Sequence, residues 1–323
     1  EYKPDDFIQI HSYISDNDVK LCYNSREQIL NILKLGSEHE NNFYKQIENS
    51  FPFICKIFGK TQFDDRTYIV LEYIEGEQLD KFITNHNEID FSTKIKIIIE
   101  ILFSIYHAHS NGFFLRDLKP DNIIIDSDYN ANLVDFDFSK EMKSQLYEEN
   151  TSNIGSNIYA APEQLRSEEY SYKVDSYSVG MIIHFIITGK ESNFEFDELT
   201  QIYYSKENIM ENNKFPKCPK EYENIQNIYK QCFSINPKLR PSIVKLIMTI
   251  IFDNKSNEIK KSNEDKLPYI IKQFEKYTSK YKISNKYEFD EPIEQSYLNY
   301  FLGYIYYYEQ YVSRDINKSI QYL

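Results

Sequence analysis

One nine-residue run, Phe114-Leu115-Arg116-Asp117-Leu118-Lys119-Pro120-Asp121-Asn122, constrains this chain more than any other stretch. It holds an acid at Asp117, a cation two residues on at Lys119 and a carboxamide at Asn122. A second acid, Asp135, follows in Val134-Asp135-Phe136 at the end of an apolar run. Phosphoryl transfer needs this set: a carboxylate facing the acceptor hydroxyl, a cation for the moving charge, and two oxygen ligands for magnesium. An isolated Asp-Leu-Lys reads equally well as a solvated loop. The whole string followed by Asp-Phe does not.

A length of 323 residues leaves room for more than one domain. The formal charge of -13 argues against nucleic acid or an acidic membrane surface as main partner, and basic substrates are mildly favoured. Cys22, Cys55, Cys218 and Cys232 show no close ligand-like pairing, as expected of free thiols in a reducing compartment. The longest apolar stretch, Val179 to Ile187, is broken by His184 and is far short of the ~20 residues a spanning helix needs. The opening Glu1-Tyr2-Lys3-Pro4 is unlike a signal peptide, and Glu1 in place of Met suggests trimming. The expectation is a cytoplasmic protein without a membrane span.

Strand-like apolar runs bounded by polar turns occur at 18–23, 28–35, 53–59 and 67–73. Between the second and third, Ser37-Glu38-His39-Glu40 is a helix-start pattern followed by Phe43, Tyr44 and Ile47 at helical spacing. From Leu79 onward the chain reads as mainly helical. Helices are expected over 91–111, over 175–188 (apolar all round, hence buried) and from Asn236-Pro237 onward. The polar, aperiodic stretch from Asp253 marks a linker over 253–268.

A second string, Gly155-Ser156-Asn157-Ile158-Tyr159-Ala160-Ala161-Pro162-Glu163, is joined by Asp175-x-Tyr-x-x-Gly180 and by Arg240. With these the chain resembles the eukaryotic protein kinase catalytic domain of the serine/threonine type, over roughly residues 7–252. The resemblance implies an α+β, bilobal protein kinase fold: a small β-rich lobe with one helix over about 7–73, and a large, mostly helical lobe over about 77–252. It also implies Mg-ATP and protein substrates. Asp117 would be the base and Lys119 would neutralise the transferring phosphate, while Asn122 and Asp135 would hold Mg2+. Lys34 would grip the α and β phosphates. Val19, Ile32 and Ile124 would sandwich the adenine, with backbone bonds from Glu72 and Ile74 and Leu71 as gatekeeper. The partner of Lys34 is open between Glu40, which is preferred, and Gln46. Glu163 would pair with Arg240, Asp175 would cap the catalytic loop from below, and Ser156 would contact Asp117 and Lys119.

The chain departs from the family pattern in three places. Ser12, Ile14 and Asn17 stand at the three positions of the glycine-rich loop, where glycine lets the backbone approach phosphates. Leu115 replaces the usual His, a mild change within an apolar stack. Asp137 replaces the glycine that follows Asp135-Phe136; it either binds a further cation or repels phosphates, and Asp tolerates positive φ better than most residues. Asp-Phe-Asp resembles a divergent group of protist kinases. Arg116 implies control by a phosphate on the activation segment, with Thr151 and Ser152 as carriers or else as solvated hydroxyls. The region 269–323 resembles a helical tail with one partial Sel-one-like repeat, through Leu302-Gly303 and Val312-Ser313-Arg314-Asp315, which would recruit a protein partner. Its Glu309 stands where glycine is usual, and an amphipathic tail is the alternative. The missing glycines and Asp137 keep a second function open, a pseudokinase scaffold.

Overall fold

In the third strand, Leu33 is fully buried on one face of a sheet while Ile32 and Lys34 serve the other, as a two-residue side-chain period dictates. The computed structural model describes residues 2–12, 19–47, 51–63, 65–86, 88–142, 158–166, 169–190 and 220–252. The first layer is a five-stranded antiparallel sheet of β1 (Phe7–Ser12), β2 (Val19–Asn24), β3 (Ile29–Leu35), β4 (Ile57–Phe63) and β5 (Arg66–Glu72), in the order β1-β2-β3-β5-β4. Its outer face carries Phe7, Cys22, Leu33, Tyr68 and Val70 beneath Tyr2 and Phe63. Its inner face sends Ile69 and Leu71 into the main core, where they join Phe43 and Tyr44 of α1 (Glu38–Gln46). Ser37 caps α1 by accepting the Glu40 N–H at 3.0 Å.

The strand expected over 53–59 is displaced: β4 begins at Ile57 and ends at Phe63. Phe53 and Cys55 bond the backbone of Leu133 instead, with N–H to carbonyl distances of 2.9 Å, and their side chains are buried. A short apolar run fits a buried connector as well as a strand, and burial against the large lobe wins here.

The large lobe follows as β6 (Gly76–Gln78), α2 (Leu79–Asn85), α3 (Phe91–Ser110), β7 (Phe113–Phe114), β8 (Ile123–Asp126), β9 (Ala131–Leu133), β10 (Lys140–Glu141), α4 (Pro162–Leu165), α5 (Lys173–Thr188), α6 (Glu223–Cys232) and α7 (Ile243–Phe252). Strands β6-β8-β9 form one small sheet and β7-β10 another. Asp90 caps α3 through the Thr93 N–H at 2.7 Å. Helix α5 is buried along almost its whole length and stops at Gly189, whose φ of 67° suits glycine. No helix among the described residues is long and apolar enough to cross a membrane. Cys22, Cys55 and Cys232 are free, buried thiols, and burial pushes Cys55 and Cys232 up to about 12. Outside the described residues lie the expected linker and repeat tail, together with Ile14, Asn17, Thr151, Ser152, Ser156 and Cys218.

Two measurements test this core. A Cβ on Gly180 would stand 2.5 Å from the Cys232 Cβ, so α5 and α6 would have to separate. Overpacking of ~1–3 kcal/mol should outweigh the ~1 kcal/mol of helix propensity that alanine gains, and Gly180→Ala should melt several degrees lower. Burial pushes His184 down to about 4, and its Nε2 is buried without a partner. The unfolded chain therefore takes up a proton between about pH 6.5 and 4 that the folded chain refuses, and stability falls as pH falls through that window. His184→Leu should flatten this slope in thermal melts.

Candidate active site

The loop between β7 and β8 is shaped by one buried acid. Asp175, fully buried on α5, accepts the Leu115 N–H at 2.7 Å and the Arg116 N–H at 2.9 Å, and its Oδ2 lies 2.8 Å from His109 Nε2. Arg116 sits at φ 71°, a left-handed conformation a non-glycine residue holds only when its surroundings enforce it. Gln164 of α4 adds a bond to the Arg116 carbonyl at 3.0 Å.

The next residue, Asp117, is therefore fixed. Lys119 Nζ lies 2.7 Å from its Oδ2, and Asn122 Nδ2 donates to the same oxygen at 3.1 Å and to the Asp117 carbonyl at 3.0 Å. Burial raises the Asp117 carboxyl above its ordinary range, while the bond and charge of Lys119 pull it back.

Across the cleft, register pairs Val19 with Lys34 and Lys34 with Ile69. Lys34 Nζ meets three carboxylates: Glu40 Oε2 at 3.1 Å, Asp135 Oδ1 at 2.7 Å and Asp137 Oδ2 at 2.9 Å. Burial opposes its charge, but Glu40, then Asp135 and Asp137, outweigh that and hold it above the usual lysine range. Glu40 is fully buried and burial pushes it up to about 8; Lys34 opposes this, and the like charges of Asp137 and Asp135 add to it. Of the two candidate partners, Glu40 meets Lys34, and Gln46 instead donates to Glu141 at 2.6 Å.

Ile32 stands opposite Leu71, and Ile32 and Ile74 pack against the main core. Ile124 lies on β8 opposite Gln78. The Glu72 carboxylate is taken by Lys56 Nζ at 2.9 Å. Leu115 is buried in the main core, which agrees with an apolar replacement. Positive φ falls on Asp135, at 66°, and not on Asp137, so no glycine is required at the latter by the backbone. Beneath the loop, Arg240 grips Glu163 in a bidentate pair, Nη2 to Oε2 at 2.8 Å, with both residues buried.

Two participants were not foreseen: His109 on Asp175, and Asp137 on Lys34. A histidine on the inner face of α3 shortly before the loop was the only signal for the first. For the second, the acid was visible but its partner was not.

Phe136 is buried and stacked on Phe43 with ring centroids 4.1 Å apart, which seats α1 against the start of the segment after Asp135. The donor set for a hard cation is a carboxylate and a carboxamide. Asn122 spends its amide nitrogen on Asp117, leaving oxygen as its ligand atom, and Asp135 is about a third exposed. Such oxygen donors fit magnesium.

The Protein kinase domain family matches this chain over residues 31–252. Serine/threonine-protein kinase PrkC of Bacillus subtilis is 31% identical over 173 residues, covering 51% of this chain and 27% of that protein. The probable serine/threonine-protein kinase PknB of Lactococcus lactis is 29% identical over 187 residues, 56% of this chain and 29% of its own length. The RGS domain-containing serine/threonine-protein kinase A of Dictyostelium discoideum is 27% identical over 268 residues, 78% of this chain and 23% of its own. The match thus spans under a third of the length of each of these curated relatives.

The buried Glu163–Arg240 pair makes a test of the site's footing. Arg240→Met leaves a carboxylate buried without its partner and should lower stability by about 3–5 kcal/mol in chemical unfolding. Replacing both residues by apolar ones of similar size should recover most of that loss.

Proposed function

The chain belongs to the protein kinase domain family, and from that premise we propose that it transfers the γ-phosphoryl group of ATP to serine or threonine hydroxyls of proteins. The observation that carries this reading is the bracing of Asp117: its carboxylate is fixed between Lys119 and Asn122 on a loop tied to Asp175. A carboxylate held this way, with burial raising its proton affinity, suits a general base.

In the reading, Asp117 orients the acceptor hydroxyl and takes its proton as the oxygen forms a bond to the γ-phosphorus. The bond from that phosphorus to the bridging oxygen breaks, and ADP leaves with the electron pair. Lys119 faces the charge on the transferred group, and Lys34, kept cationic by its carboxylates, holds the α and β phosphates. Val19, Ile32 and Ile124 flank the base, and the backbone at Glu72 and Ile74 bonds its edge. Asn122 and Asp135 would hold magnesium, which supplies neutralisation of phosphate charge when bound. Lys119 and the names of the relatives favour serine and threonine acceptors. The tail over 269–323 is assigned to recruitment of a protein partner, and the buried thiols suit the reducing cytoplasm.

A second reading, a binding scaffold with weak or no transfer, is favoured by one observation: Lys34 is already occupied by Asp135 and Asp137. A time course with Mg-ATP and a basic protein substrate, read by mass spectrometry, separates the two. Asp117→Asn should lower the rate by about 10²–10⁴-fold without altering the melting profile. An equal rate in both proteins, or transfer by neither, would leave only the scaffold.

A further inference from the structure

The segment after Asp135 clasps α1 at three heights. At the N-terminal end, the Asp137 carboxylate lies 2.9 Å from Lys34 Nζ, which also meets Glu40 Oε2 of α1 at 3.1 Å. In the middle, Phe136 stacks on Phe43, lies edge-on to Tyr44, and donates its N–H to Glu40 Oε1 at 3.3 Å. At the C-terminal end, Glu141 accepts from Asn42 at 2.5 Å and from Gln46 at 2.6 Å. Glycine at position 137 would leave the first of these clasps with no atoms to make it.

The ammonium of Lys34 is also saturated. Glu40, Asp135 and Asp137 surround it within 3.1 Å. A lone Lys–Glu pair between a strand and a short helix is held by little, since α1 spans only nine residues and an isolated helix of that length is marginal. A third carboxylate on the same ammonium ties the strand, Glu40 of the helix and the segment into one unit.

We propose that Asp137 is a positioning residue, whose carboxylate holds Lys34, and through it Glu40 of α1, in the paired geometry before any nucleotide arrives. It stands toward Lys34 as a nucleotide phosphate otherwise would. The inference rests on the kinase reading only in taking Lys34 and Glu40 as the nucleotide-gripping pair. Its consequence is an α1 whose order does not depend on nucleotide.

The test is amide hydrogen exchange over Glu38–Gln46, followed by mass spectrometry, on the full chain with and without Mg-ATP. Without nucleotide, Asp137→Gly should exchange these amides about tenfold faster than wild type, with α3 and α5 unchanged. Added Mg-ATP should slow α1 in Asp137→Gly and change wild type little, because a phosphate then replaces the missing carboxylate. Asp137→Asn, which keeps an oxygen for Lys34 but no charge, should fall between the two. Equal α1 exchange in wild type and Asp137→Gly overturns the proposal, and so does faster exchange spread evenly over α1, α3 and α5. The nucleotide-free comparison needs no phosphate transfer, so a chain that fails as an enzyme can still show the clasp.

Discussion

Asp175 carries more of this structure than its single carboxylate suggests. Two consecutive backbone N–H groups and an imidazole converge on it inside a helix that has no contact with water along most of its length. An unpaired carboxylate there would be prohibitively costly, and three donors from one loop and one neighbouring helix remove that cost. The exchange fixes the chain at Arg116 in a left-handed turn, and the turn aims Asp117 at the cleft. Loop strain and helix burial are thus two halves of one arrangement.

The two sides of the cleft solve opposite electrostatic problems. On the large-lobe side an acid is braced by a lysine and an amide. On the small-lobe side a lysine is over-supplied with acids: three carboxylates face one ammonium. Such a site attracts cations and resists phosphates unless part of its charge is neutralised, by a proton on Glu40 or by a metal ion at Asp135. Nucleotide and metal would then arrive as a neutralising pair.

Much of this was legible in the sequence where chemistry is carried by residue type at fixed short spacing. Asp117, Lys119 and Asn122 fall within six residues, and their mutual bonds lie inside the loop, although the loop itself is held by Asp175. The Glu163–Arg240 pair was reachable only through the family resemblance, since 77 residues separate its members, and so was the Lys34–Glu40 pair, whose six residues span a strand end and a helix start that no local rule joins. The apolar run at 53–59 misled because periodicity does not say whether a short buried segment lies inside a sheet or beneath one. The contact of Asp137 with Lys34 was illegible for a related reason: it depends on where β3 and the end of β9 meet in space, and sequence distance says nothing of that.

The buried thiols divide the molecule into three reporting districts. Cys22 lies under the outer aromatic cluster of the small sheet, Cys55 in the connector that pairs with Leu133, and Cys232 against Gly180 between α5 and α6. Each is shielded, and burial raises each thiol above its ordinary value, so none offers a thiolate to an alkylating reagent while its surroundings are closed. The order in which they become reactive as conditions grow harsher is therefore a natural clock for which part of the protein opens first.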